Sequence, residues 1–112
     1  DGVIAVAAHN RAGDLATYSN WSSRVTLTAP GGGCGRTDPG CTYGESTTTT
    51  GNAGSITAGA ESVTGFNGTS AAAPHVSAAV ALVLEAAPTL APDGVASLLV
   101  SSAAAPPAGT WC

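Results

Sequence analysis

Gly2 to Ala8 is an unbroken apolar run that includes Val3, Ile4 and Val6 and closes on the polar pair His9-Asn10. A run that is apolar at every position, not at alternate ones, suits a strand covered on both faces, as in a parallel sheet between helices. Residues 11–23 turn polar and rich in Gly, Asn and Ser, which predicts a loop carrying Tyr18 and Trp21. Val25 to Ala29 predicts a second short strand, ended by Pro30-Gly31. Residues 31–61 are Gly-, Thr- and Ser-rich. Within them Thr47–Thr50 has strand propensity, Gly51 to Gly54 has turn chemistry, and Ser55 to Ala58 follows, so a surface hairpin is expected, with an extended low-complexity loop as the alternative.

The C-terminal half changes period. Ala71 to Ala87 is built from good helix formers, with Thr69 or Ser70 placed to cap its start and Pro88 to end it. Val76, Val80 and Val83-Leu84 recur at helical spacing, and alanine fills most other positions, so burial nearly all round is expected. Pro92 and Asp93 suit the first turn of a second helix, whose buried face would carry Val95, Leu98 and Leu99. Pro106-Pro107 lies beyond its end. Strands followed by helices, with a parallel-type buried run, predict an α/β fold. No internal repeat is evident, and 112 residues leave room for one domain with a modest core.

Composition narrows the functions available. The chain is 44% hydrophobic but only 4% aromatic, so small side chains supply the apolar mass and allow close packing of elements. Its net charge is -4, and its only basic residues besides histidine are Arg11, Arg24 and Arg36. That excludes a basic nucleic-acid footprint. The longest apolar run, Val76 to Leu84, is interrupted by Ser77 and is about half of what a bilayer requires, so no membrane partner is expected. Asp1-Gly2 leads directly into the first strand without a basic segment, so no signal peptide is expected here.

Cys34 and Cys41 lie in a Gly/Pro/Asp-rich stretch. A local disulfide is expected, with two free thiols as the alternative; a metal site is not, because the pair lacks the further ligands of a zinc centre. Cys112 is left over, which predicts a bond to another segment or chain.

The chemistry concentrates in Gly65-Phe-Asn-Gly-Thr-Ser-Ala-Ala-Ala-Pro-His-Val76, where glycines approach tightly and Ser70 meets the start of an alanine-rich helix. Unpaired N–H groups and the positive end of the helix dipole would there stabilise an oxyanion on an acyl group attacked by Ser70. Taken alone, a serine in this position is far more often a cap than a nucleophile.

Gly68-Thr-Ser-Ala-Ala-Ala-Pro-His-Val76 resembles the nucleophile motif of subtilisin-like serine proteases, G-T-S-M-A-A/S-P-H-V. The resemblance extends to Val3–Ala8, Tyr18-Ser-Asn20, Thr28-Ala-Pro-Gly31 and Ala87-Pro-Thr-Leu-Ala-Pro-Asp93, and so covers nearly the whole chain. It implies a secreted serine endopeptidase acting on protein or peptide substrates, and a three-layer α/β fold of which this chain is the C-terminal part, incomplete at both ends, with 31–61 as a hairpin insertion. Ser70 would be the nucleophile, its backbone N–H part of the oxyanion hole, and Phe66, Asn67, Gly68 and Thr69 would contact substrate.

The family's general-base histidine, orienting aspartate and oxyanion asparagine precede this region, so they are expected on a complementary N-terminal segment or chain, and the isolated chain is expected to be inactive. No cofactor is required. Arg24 and Thr26 stand where some members bind a cation, so no metal site is carried over; structural calcium elsewhere in a longer parent protein stays open. Ala71 replaces the usual methionine and removes an oxidation-prone thioether. His75 corresponds to a buried structural histidine, and His9 with Asp14 is not expected to serve as a local base pair.

The alternative within the family is a non-catalytic subtilase-like module. Outside it stand a Thr/Gly/Ser-rich adhesive β-domain and an α/β-hydrolase esterase, the latter disfavoured because Gly68-Thr-Ser-Ala-Ala72 lacks the second glycine of G-x-S-x-G.

Overall fold

The computed structural model describes residues 2–38, 40–41 and 45–107; the expectation for Cys112 lies outside them. Four strands precede two helices: β1 (Val6–His9), β2 (Leu27–Pro30), β3 (Thr47–Asn52), β4 (Glu61–Phe66), α1 (Thr69–Ala86) and α2 (Pro92–Ser102). β1 and β2 pair in parallel, Val6 opposite Leu27 and His9 opposite Pro30. The predicted strand thus lies in a parallel pair, but only its second half is strand, and Ala7 and Ala8 are the residues fully covered.

α1 lies on this sheet. Ala8, Ala16, Ala29, Ala72 and Val76 form one buried cluster, with Ile4, Val6, Leu27, Val80 and Leu99 packed around it. Alanine at these contacts lets the helix backbone approach the sheet closely, which larger side chains would prevent. The expectation of burial all round α1 is corrected: only Ala71, Ala72 and Val76 are buried, and Leu82 is 67% exposed. The two-stranded sheet and α2 reach just one side of the helix. By length and composition α1 is also apolar enough to cross a membrane; among the described residues it lays one stripe, Ala71, Ala72 and Val76, on the sheet. In α2, Pro92 opens the helix and Val95 is buried as expected, whereas Leu98 is 45% exposed.

The hairpin exists with a shifted second strand. β3 pairs antiparallel with β4, Thr47 opposite Phe66 and Asn52 opposite Glu61, so Ser55–Ala58 lies in the connection. Asn52 closes that loop, its Oδ1 accepting from the Gly54 and Gly59 N–H groups at 2.7 and 2.8 Å.

Cys34 and Cys41 form a disulfide, with Cα atoms 5.7 Å apart. The stapled loop is anchored by Asp14, a buried carboxylate whose Oδ2 accepts from the Thr37 N–H (2.8 Å) and hydroxyl (2.6 Å). Arg36 adds a hydrogen bond to the Ser19 carbonyl at 3.0 Å and lies 6.0 Å from the Trp21 ring centroid. Two stability effects are expected, both read by urea unfolding of the full-length protein. Replacing both cysteines by serine should cost about 2 kcal/mol, from the lost constraint on a short loop. Asp14→Ala should cost about 1–3 kcal/mol, because it removes a buried side chain whose Oδ2 is the shared acceptor of the Thr37 N–H and hydroxyl.

Candidate active site

Ser70 is the second residue of α1 and is exposed. The helix start differs from the expected capping by Thr69 or Ser70. Gly68 is the cap residue, no side chain caps the helix, and the Gly68 carbonyl accepts from the N–H groups of Ala71 (2.9 Å) and Ala72 (3.2 Å). Among the described residues, the N–H groups of Thr69 and Ser70 therefore have no acceptor, and the Ser70 hydroxyl is committed to no hydrogen bond. A serine that is not spent as a cap retains its hydroxyl, and its N–H remains available to an incoming oxyanion.

This geometry rests on Gly68, whose φ of 157° and ψ of 163° belong to a region essentially reserved for glycine. Its N–H donates to the Gly31 carbonyl at 3.0 Å. Gly31 follows β2 directly, so the parallel sheet holds the loop that carries the serine. Tyr18 binds the same segment: its hydroxyl lies 2.6 Å from the Gly31 carbonyl oxygen and 2.8 Å from that of Gly32. The Asn67 side chain fits against Gly32 where a Cβ would otherwise sit. Burial raises the Tyr18 phenol above its usual 10, with the facing Gly68 N–H pulling more weakly the other way.

An open groove of about 370 Å³ runs past the serine, walled by Thr47–Thr49 and Phe66 on one side and by Ala71, Pro74 and His75 on the other. The structure thus places Ser70 and Phe66 on one groove, with Asn67 and Gly68 linking β4 to α1 and Thr69 opening the helix. A separate apolar hollow of about 290 Å³, bordered by Ile4, Val80, Leu84 and Val95, has Asp93 as its one polar side chain among the described residues.

The histidines do not complete a triad among the described residues. His75 is exposed, not buried as expected: it lines the open groove, and its Nδ1 lies 2.8 Å from the Ala71 carbonyl oxygen of its own helix. His9 turns its Nδ1 to the Asn10 carbonyl at 2.7 Å, and Asp14 is engaged by Thr37. Neither is hydrogen-bonded to Ser70. No three His, Cys, Asp or Glu side chains cluster as metal ligands among the described residues. The support from Tyr18 and the Gly31–Gly33 turn was missed in the sequence, although three consecutive glycines after a strand are a signal of close backbone approach.

The profile of the subtilase family matches residues 1–110. The chain belongs to the subtilase family. It is 42% identical over 106 residues to an extracellular protease of Xanthomonas campestris pv. campestris, covering 94% of this chain and 16% of that protein. It is 36% identical over 100 residues to a subtilisin of Bacillus pumilus, covering 89% of this chain and 29% of that one. Among solved structures, a protease of Pseudoalteromonas arctica superimposes with a TM-score of 0.82 at 36% identity, over 96% of this chain and 31% of that chain. The parallel pair, hairpin and two helices are thus part of a subtilisin-like α/β fold, and this subtilase chain spans less than a third of each of these relatives.

Proposed function

We propose that this chain is the nucleophile-bearing part of a secreted serine endopeptidase, with Ser70 as the attacking residue. The observation that carries this is the uncommitted Ser70 hydroxyl and N–H at the open start of α1, within the subtilase motif. Ser70 Oγ adds to the scissile carbonyl of a protein or peptide, and the resulting oxyanion is held by the Ser70 N–H. The proton passes to a histidine, which returns it to the leaving amine; water then releases the acyl group. That histidine, its aspartate and the side-chain oxyanion donor come from residues outside these 112, on a complementary N-terminal segment.

Phe66, which lines the groove, and its neighbour Asn67 are assigned to the leaving-group side, and Gly68 and Thr69 to backbone contacts beside the scissile bond. The mechanism requires no cofactor. Secretion is supported by the Cys34–Cys41 disulfide, which persists in an oxidising compartment, and by the relative named as an extracellular protease.

The test is turnover of a denatured protein substrate by the full-length protein and by the isolated 112-residue chain. Activity in the first and none in the second is expected. Activity of the isolated chain would overturn the division of the triad, and an inactive full-length protein would overturn the endopeptidase.

A further inference from the structure

Tyr18 stands apart from the groove, yet its hydroxyl touches the backbone on which the serine loop rests. A single phenolic proton lies between two carbonyl oxygens, at 2.6 Å from Gly31 and 2.8 Å from Gly32. The Gly31 oxygen also accepts the Gly68 N–H at 3.0 Å, two residues before Ser70. The turn is wrapped around the ring: a Cβ on Gly31 would lie 2.8 Å from the Tyr18 oxygen, and one on Gly33 would lie 2.8 Å from ring atom Cε1. Gly32 and Gly33 have φ values of 73° and 85°, so the chain takes a left-handed path to present its carbonyls to the hydroxyl.

We propose that Tyr18 is a positioning residue for the nucleophile, acting through the chain Tyr18 hydroxyl, Gly31 carbonyl, Gly68 N–H to set the Ser70 backbone N–H. The inference rests on the endopeptidase reading of Ser70. It assigns to the hydroxyl a role that ring packing alone would not fill. Without the phenolic donor, the Gly31 and Gly32 carbonyls lose their shared partner and the turn relaxes beneath Gly68. The Ser70 N–H then moves relative to the oxyanion, an error that affects the transition state more than the bound ground state.

The experiment compares full-length wild-type protein, Tyr18→Phe, and the double variant Cys34→Ser/Cys41→Ser on a peptide amide, with thermal unfolding of each. Tyr18→Phe retains the ring against Gly33 and removes one oxygen. Its kcat is expected to fall about tenfold, with KM within about twofold of wild type. The disulfide variant should lose more thermal stability and retain its kcat, which separates positioning from general weakening. Wild-type kcat in Tyr18→Phe, or an equal fall in kcat in the disulfide variant, overturns the positioning role and leaves the endopeptidase intact. A wild-type protein that neither cleaves the amide nor reacts at Ser70 overturns both.

Discussion

Ser70→Ala in the full-length protein is expected to lower kcat on peptide substrates by roughly a million-fold, the loss that removal of the nucleophile causes in subtilisin, a member of this family. The same variant should unfold within about 0.5 kcal/mol of wild type. The side chain is exposed, caps nothing and accepts no hydrogen bond among the described residues. A capping serine would behave in the opposite way, with stability falling by about 1 kcal/mol and catalysis little changed. The pairing of these two measurements therefore decides between the helix-start roles open to Ser70. KM is expected to change little, because in the proposed mechanism the hydroxyl acts in the bond-making step and does not hold the substrate.

Gly31→Ala should be the most damaging substitution away from the nucleophile. A Cβ there would lie 2.5 Å from the Ala8 Cβ, 2.8 Å from the Gly68 carbonyl oxygen and 2.8 Å from the Tyr18 hydroxyl. None of these neighbours can yield cheaply: Ala8 is fully buried in the core, Gly68 is backbone, and Tyr18 is held by the same turn. Overpacking of this kind typically costs about 1–3 kcal/mol. The functional cost should exceed the stability cost, because the new methyl group presses on the loop that sets Ser70. A shift of about 1 Å there is enough for a roughly hundredfold loss of kcat. Gly40→Ala is the matched control, since among the described residues its Cβ would meet only Asp38 Oδ1 at 3.9 Å. Steady-state kinetics and urea unfolding of both variants check the pair: Gly31→Ala impaired on both counts, Gly40→Ala on neither.

The family was legible where its information is consecutive in the chain. Gly68-Thr69-Ser70 and the alanines after it carry the subtilase resemblance without reference to any distant residue, and Pro92 and Pro88 mark helix limits by backbone chemistry alone. What was not legible depends on contacts across the sequence. Thr69 and Ser70 have the side chains of caps, but they lie inside the helix as its first two residues, and the cap position falls to Gly68, which has no side chain to offer. The second hairpin strand was misplaced because residues 53–66 have no clear apolar alternation, and the register follows from Asn52 holding Gly54 and Gly59. The face of α1 was read as buried because its composition is apolar everywhere, whereas burial depends on how much structure lies beside it. The Tyr18 hydroxyl joins residues 13 and 14 positions away, and no local pattern encodes that.

The central claim is that Ser70 is an activated nucleophile once the rest of the subtilase fold surrounds it. The most direct measurement is intact mass spectrometry of the full-length protein after exposure to a serine-reactive phosphonate, followed by peptide mapping. A single adduct on Ser70, absent from Ser70→Ala and from protein unfolded beforehand, is the predicted result. A folded full-length protein that leaves Ser70 unmodified, or that carries the adduct on another serine, would contradict it.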